Sequence, residues 1–379
     1  MLKLKEVLKN RGIAYSALGK QINLSPAAVS QMVNHNLWPK KREADLKNQI
    51  LEILAPDAVT AAGLFEECRG PGGRQGPADK PEENTLEEVM LLRKQTLSPA
   101  AKRTFGLVRD PFDECRSSDE MYLTPDIRYV RESLRQTAKH GGFIAVVGES
   151  GAGKSTLRRD LCEWIQRENE PVIVIEPYVL GMEDNDIKGK TLKAAAIAEA
   201  ILGAVAPGQP VKRSSEARFR QVHHALRESH RAGNRHVLVI EEAHGIPLPT
   251  LKHLKRFFEL EDGFAKLLGI VLIGQSELAQ KLDERNPAVR EVVQRCEVVT
   301  LRPLDADLEG YLKHRFQLAS ALLQDVMEES ALDALRNKLS RGSYSVLYPL
   351  AVHNVVTAAL NEAATLGIPQ VSADLIAGV

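Results

Sequence analysis

Between residues 143 and 301, short apolar runs alternate with amphipathic stretches. Phe143–Val147, Val172–Ile175, His236–Ile240, Leu268–Ile273 and Glu297–Leu301 are brief and mostly rich in β-branched residues. That pattern predicts strands, with Phe143–Val147 buried on both faces. Thr191–Val205, Ser215–Ala232 and Leu251–Phe258 have helical character instead, and Leu157, Leu161, Trp164 and Ile165 form one apolar stripe at helical spacing. Strands alternating with helices predict an α/β fold with a parallel sheet. After Pro303 the strand pattern stops. Leu304–Ala319, Glu328–Lys338 and Tyr348–Leu366 predict a separate all-α lid.

The first residues read as helices of another kind. Leu2, Leu4, Val7 and Leu8 form an amphipathic set ended by Gly12. Ser16 suits an N-cap, Leu18 and Ile22 turn inward, Asn23 suits a left-handed turn, and Leu24 plugs the corner. Ser25 then caps a second helix with Pro26 at its first position, where a missing N–H is harmless. Val29, Met32 and Val33 pack it down. The pattern resembles a helix-turn-helix of the phage-repressor type, with Ala27, Ala28, Ser30 and Gln31 near the groove-facing side. Lys40, Lys41 and Arg42 follow and suit phosphate contacts. Residues 1–50 hold nine Lys/Arg against three Asp/Glu in a chain of zero net charge, so this end suggests a nucleic-acid partner.

Residues 66–84 are dense in Gly, Pro and charge, which predicts a flexible linker. Thr85 and Glu88 read as a capping box opening a short helix, with the body Leu86–Gln95, that ends before Ser98-Pro99. The expected organisation is a helix-turn-helix domain over 1–65, linker and short helix over 66–104, a nucleotide domain over 105–302 and the lid over 303–379. A hydrophobic fraction of 44% allows a sizeable core. No apolar run approaches membrane length, and the start lacks a signal peptide's apolar stretch. Cys68, Cys115, Cys162 and Cys296 lack ligand-like spacing. A cytoplasmic chain with reduced thiols, away from membranes, is expected.

Gly148 to Ser155 reads G-x-x-x-x-G-K-S between a predicted strand and a predicted helix, the order of a P-loop. Gly148, Glu149, Ser150, Gly151, Ala152, Gly153, Lys154, Ser155 and Thr156 are the expected ATP-binding residues. The glycines let backbone N–H groups turn inward around phosphate, and the helix N-terminus adds partial positive charge. Lys154 reaches the β- and γ-phosphates, and Ser155 holds Mg²⁺. The strand at Val237–Ile240 runs into Glu241-Glu242, a Walker B arrangement. Glu241 stands where Asp is usual; one methylene longer, it points to a metal contact through water. Glu242 is the candidate general base. Gln275, at the end of the next strand, is placed to orient the attacking water. Arg295, before the last strand, is a candidate arginine finger for a neighbouring subunit, with Arg290 as the runner-up.

From about Phe105 to Leu366 the chain resembles AAA+ ATPases of the group that contains phage Mu transposition protein B, the TnsC transposition regulators and the ExeA-type ATPases. RDPF (109–112), GESGAGKST (148–156), VIEEAH (239–244), LIGQSEL (272–278) and QRC-x₄-LRPL (294–304) carry the likeness. With the N-terminal helix-turn-helix, they point to the Mu B-type branch. The resemblance implies an ATP- and Mg²⁺-dependent protein that assembles as a homo-oligomeric ring or filament on double-stranded DNA, largely independent of sequence. Its implied task is to select target DNA and to recruit and stimulate a transposase, in a bacterial or phage-infected cytoplasm. The chain departs from ExeA-like relatives at the lid, where their G-x-P-R arginine is replaced by Leu350 after Pro349. Hydrolysis that is slow or partner-dependent is therefore expected, with Arg341 the nearby substitute.

Two stretches offer DNA contacts in the ATPase body: Lys188, Lys190 and Lys193, and Lys252, Lys255 and Arg256. His223, His224 and His230 lack partners at metal-ligand spacing, so no metal site is read there. Two alternatives stand beside the transposition reading. One is a nucleotide-gated transcription regulator or scaffold. The other is an ExeA-type secretion ATPase, which the missing membrane segment disfavours.

Overall fold

The structure is a computed structural model of the 379-residue chain. It describes residues 43–54, 93–177, 192–287, 289–341 and 344–379, and before residue 39 Leu4, Val7, Leu8, Leu18, Gly19, Gln21, Ile22, Leu24, Val29, Met32, Val33 and Trp38. The chain divides into two compact units, 1–82 and 83–379.

In the first unit, Leu4, Leu8, Leu18, Ile22, Val29, Met32 and Val33 are buried in one cluster, the inward set that the pattern predicts. Helix α1 (Glu43–Leu54) completes the cluster with Leu46, Ile50 and Leu54. The Leu24 amide donates to the Gly19 carbonyl at 2.8 Å. A Cβ on Gly19 would lie 2.6 Å from the Leu24 carbonyl oxygen, so this corner needs glycine. Ala27, Ser30, Gln31, Lys40 and Lys41 lie outside the described residues.

The second unit begins with α2 (Pro99–Thr104) and α3 (Pro125–His140), followed by β1 (Phe143–Val147), α4 (Lys154–Arg167) and β2 (Val172–Ile175). Helices α5 (Ala194–Val205) and α6 (Ser215–Arg231) then lead to β3 (Arg235–Ile240) and α7 (Leu248–Phe258). A small hairpin, β4 (Glu261–Asp262) and β5 (Ala265–Lys266), precedes β6 (Gly269–Gly274), α8 (Ser276–Lys281), α9 (Arg290–Val293) and β7 (Glu297–Thr300). The five longer strands form one parallel sheet in the order β2-β3-β6-β1-β7. This is the parallel α/β P-loop architecture that the alternation predicts. Side chains alternate between the faces: Ala145, Leu238 and Leu272 pack under α5, α6 and α7, while Val146, Val239 and Val271 pack against α3 and α4.

The lid holds α10 (Leu308–Leu318), α11 (Leu323–Val326), α12 (Glu329–Leu339), α13 (Pro349–Leu366) and α14 (Ala373–Gly378). Two expectations need correction. Strands do not stop after Pro303, because β8 (Ser340–Arg341) and β9 (Tyr344–Ser345) make a small hairpin between α12 and α13. Nor does the helix opened at Thr85 run to Gln95: residues 94–97 carry no helix, and the described helix is α2, capped by Ser98. Leu97, Ala101, Phe105 and Leu107 are buried in the lid's own core, so this strap belongs to the lid. The Gln95 amide donates to Asn354 Oδ1 at 3.1 Å, and the Ser98 amide to Asn361 Oδ1 at 2.8 Å. These partners lie too far along the sequence for any local pattern to pair them.

Candidate active site

The P-loop forms where β1, an inner strand between β6 and β7, ends and the chain turns into α4. The Gly148 amide donates to the Gly274 carbonyl at 3.1 Å, tying the loop to β6. Gly151 (φ 77°) and Gly153 (φ 94°) adopt left-handed backbone, which side chains disfavour. Gly153 is the N-cap of α4, and nothing lies within 4 Å of where its Cβ would sit. Lys154 opens the helix and donates to the carbonyls of Gly148 at 2.7 Å and Glu149 at 2.9 Å. Burial pulls the Lys154 pKa below its ordinary value, against the raising pull of Glu242, Glu149 and Glu277. An ammonium held by neutral carbonyls, beside a bare helix N-terminus and an exposed Ser155, fits a polyphosphate.

The sheet order decides what faces this loop. Strand β6 lies between β1 and β3, so the carboxyl ends of these strands bring Gln275 between the P-loop and Glu241-Glu242. Gln275 caps α8 through its backbone and makes no capping bond with its side chain, leaving the amide available. Glu242 is exposed and has φ 49°, a left-handed conformation rare for glutamate. Glu241 Oε2 lies 3.3 Å from Arg158 Nε, and Arg158 also donates to Glu176 at 2.9 Å. Burial works against the Arg158 charge, but Glu241 and Glu176 outweigh it and hold its pKa above the ordinary value. A Glu241 carboxylate so engaged suits a metal contact through water. Among the described residues no cluster of three His, Cys, Asp or Glu could hold an ion without the nucleotide.

Arg158 and Glu176 escaped the sequence reading. The signal for Arg158 is its place one turn after Lys154 on α4; nothing local marks Glu176. A third missed contact is the lid's. Leu350 lies so close to Gly151 that a Cβ there would sit 2.2 Å from the Leu350 Cβ, and the Leu350 amide is 3.4 Å from the Gly151 carbonyl. Leu350 thus packs on the P-loop backbone. Tyr348 stands nearby, its hydroxyl pKa pushed up to about 12 by burial first and then by Glu149. Arg341's side chain lies outside what is described.

Other candidates lie away from this pocket. Arg295 precedes β7, whose Glu297 pairs with Ile144, so it sits at the amino end of the sheet, opposite its own P-loop. Its guanidinium lies 3.1 Å from Glu259 and donates to the Glu291 carbonyl at 3.1 Å. Arg290 is exposed at the start of α9. On α7, Lys252 and Arg256 are exposed, whereas Lys255 is paired with Glu291 at 2.5 Å and Glu259 at 3.6 Å. Lys193 is exposed at the N-cap of α5; Lys188 and Lys190 lie outside the described residues.

Residues 135–282 match the family model described as "AAA domain", an interval that contains the P-loop, Glu241-Glu242 and Gln275. General secretion pathway protein A of Aeromonas hydrophila is 28% identical over 245 residues, which cover 63% of this chain and 41% of that protein. A putative ABC transporter ATP-binding protein of Streptococcus pneumoniae is 30% identical over 150 residues, covering 38% of this chain and 24% of that one. The chain therefore spans less than half the length of these curated relatives. Among solved structures, Cdc6p of Pyrobaculum aerophilum superposes with a TM-score of 0.48 at 16% identity, covering 70% of this chain and 68% of that one. The ADP form of Aeropyrum pernix ORC2 superposes with a TM-score of 0.47 at 14% identity, covering 71% and 70%. No helix among the described residues is long and apolar enough to cross a membrane.

Proposed function

We propose that this chain is an ATPase that assembles on duplex DNA as a homo-oligomer and marks it as a target for a transposase in the cytoplasm. The observation that carries the ATPase reading is the convergence of Lys154, Ser155, Glu242 and Gln275 on the carboxyl ends of three adjacent strands. Lys154 exchanges the Gly148 and Glu149 carbonyls for the β- and γ-phosphate oxygens. Gln275 orients a water, and Glu242 takes its proton as the water attacks the γ-phosphorus and the bond to the β,γ-bridging oxygen breaks, releasing phosphate and ADP. Ser155, and Glu241 through water, would hold magnesium, which would supply neutralising charge on the phosphates. Arg295 exchanges Glu259 for the γ-phosphate of a neighbouring subunit.

Support for the DNA half comes from the basic N-terminal pattern and the exposed Lys193, Lys252 and Arg256. Lys255, tied into ion pairs, contributes less than its neighbours. A second reading, a secretion-associated ATPase, draws on the general secretion pathway relative. Sedimentation of the full chain with random duplex DNA, with and without ATP, separates the two. ATP-dependent, salt-sensitive co-sedimentation is expected, and its absence favours the second reading. Glu242→Gln should still bind ATP but turn over about 10²-fold or more slowly, within the range of general base catalysis. Turnover at the wild-type rate would remove Glu242 from that role.

A further inference from the structure

The turn after β3 holds a histidine to which the motifs give no task. His244 lies in the one-turn segment Ala243–Gly245, whose N-cap is Glu242 at φ 49° and ψ 35°. A glutamate stays in that region only when its surroundings hold it there. His244 Nδ1 lies 3.4 Å from Glu242 Oε2, is shut off from solvent and has no hydrogen-bond partner. That separation is about half an ångström longer than an ordinary N–H···O hydrogen bond. On its other side the turn is clamped. Lys281 of α8 donates to the carbonyl of His244 and, at 3.2 Å, to that of Ile246. Gly274, the last residue of β6, approaches so closely that a Cβ there would lie 3.1 Å from the His244 backbone nitrogen. Gln275 follows directly.

We propose that His244 is a positioning residue for Glu242. Its Nδ1–H holds the exposed carboxylate, and its backbone ties that carboxylate to the segment bearing Gln275 and Lys281. The base and the amide that orients the water then move as one unit. Without the histidine Glu242 would sample several rotamers, and the aligned fraction would fall. The inference rests on the reading of Glu242 as the base. A metal role for His244 finds no support, since no three-ligand group occurs among the described residues.

Steady-state ATP turnover by the full chain on duplex DNA tests it with three variants. His244→Asn keeps a donor at the Nδ1 position, His244→Gln moves it to the Nε2 position, and His244→Ala removes it. His244→Gln and His244→Ala should lower kcat about 10-fold or more with KM for ATP changed less than about twofold, the pattern of a lost transition-state contact. His244→Asn should retain most of the rate. In a Glu242→Gln background His244→Ala should add little, because both act through one group. Should the His244 variants unfold, Lys281→Met loosens the same clamp without touching the imidazole and should lower kcat alike. Wild-type kcat in His244→Ala or Lys281→Met, or equal losses in both backgrounds, would overturn the proposal while leaving the ATPase reading intact. A wild-type chain without turnover would overturn both.

Discussion

The sheet core and the helical lid are both built on leucine, valine and isoleucine, yet they satisfy their buried polar groups differently. In the core the strand ladders satisfy one another, and the buried carboxylate, Asp160, is held from the neighbouring helix by Arg131 at 2.8 Å and Arg135 at 3.7 Å. In the lid, side chains reach far along the sequence. Buried Arg315 donates to the carbonyls of Pro111, at 2.6 Å, and Asp113. Asn361 accepts from the Ser98 amide and donates to the Thr96 carbonyl at 3.0 Å. Half-buried His353 shares a hydrogen bond with the Tyr311 hydroxyl, Nε2 to oxygen 2.5 Å, and stacks on Phe112. The strands of the core close on their own backbone, whereas the lid is complete only when the strap and the 109–113 loop are in place. The lid should therefore respond to acid and to strap mutations that leave the core untouched.

Asp160→Ala should produce the largest effect and should strike the core. It strands two arginines beside a buried site, at a cost of about 3–5 kcal/mol. A thermal scan showing less than about 1 kcal/mol would mean that water already screens the cluster. Gly151→Ala attacks the seam between the two regions. Left-handed backbone costs about 1–2 kcal/mol for a residue with a Cβ, and overlap with Leu350 adds about 1–3 kcal/mol. Adding Leu350→Gly should recover the second part alone, as read by ATP binding and thermal unfolding.

Acid should act next, mainly on the lid. Burial, reinforced by Arg315, pushes the His353 pKa down to about 3, so the folded lid keeps this ring neutral. The unfolded chain takes up a proton near pH 6.5, and this contribution is lost as pH falls from about 6.5 towards 3, by at most about 1.4 kcal/mol per pH unit. Burial also lowers the His236 pKa in the core, where Ser229 and Leu267 hold the ring. Hydrogen exchange at pH 7 and pH 5 should show protection lost first in α10 and α13, and earlier loss in β3 and β6 would reverse the comparison. Asn361→Ala should have the smallest effect, about 1–2 kcal/mol from two strap hydrogen bonds. It should loosen α2 and leave ATP affinity within about twofold, given that the strap lies outside the P-loop contacts.

What the sequence alone determined is whatever depends on neighbours in the chain. The strand pattern marks all five strands of the sheet; burial on both faces leaves continuous apolar runs in β1, β3 and β6, whereas the edge strand β7 is largely exposed. The P-loop is equally local, since its glycines, Lys154 and Ser155 act through backbone a few residues away. Helix α3 could have been read from Thr124 and Pro125 at its start and from Val130, Leu134 and Ala138 along one face, but its many charges hide that stripe. Tertiary structure alone decided the rest. The strand order set Gln275 between the two motifs, Arg158 took up Glu241, Leu350 reached Gly151, and Asn354 and Asn361 drew the strap into the lid. Each joins groups whose sequence separation is set by loop lengths rather than by a helical or strand repeat, so only packing of the whole unit could bring them together.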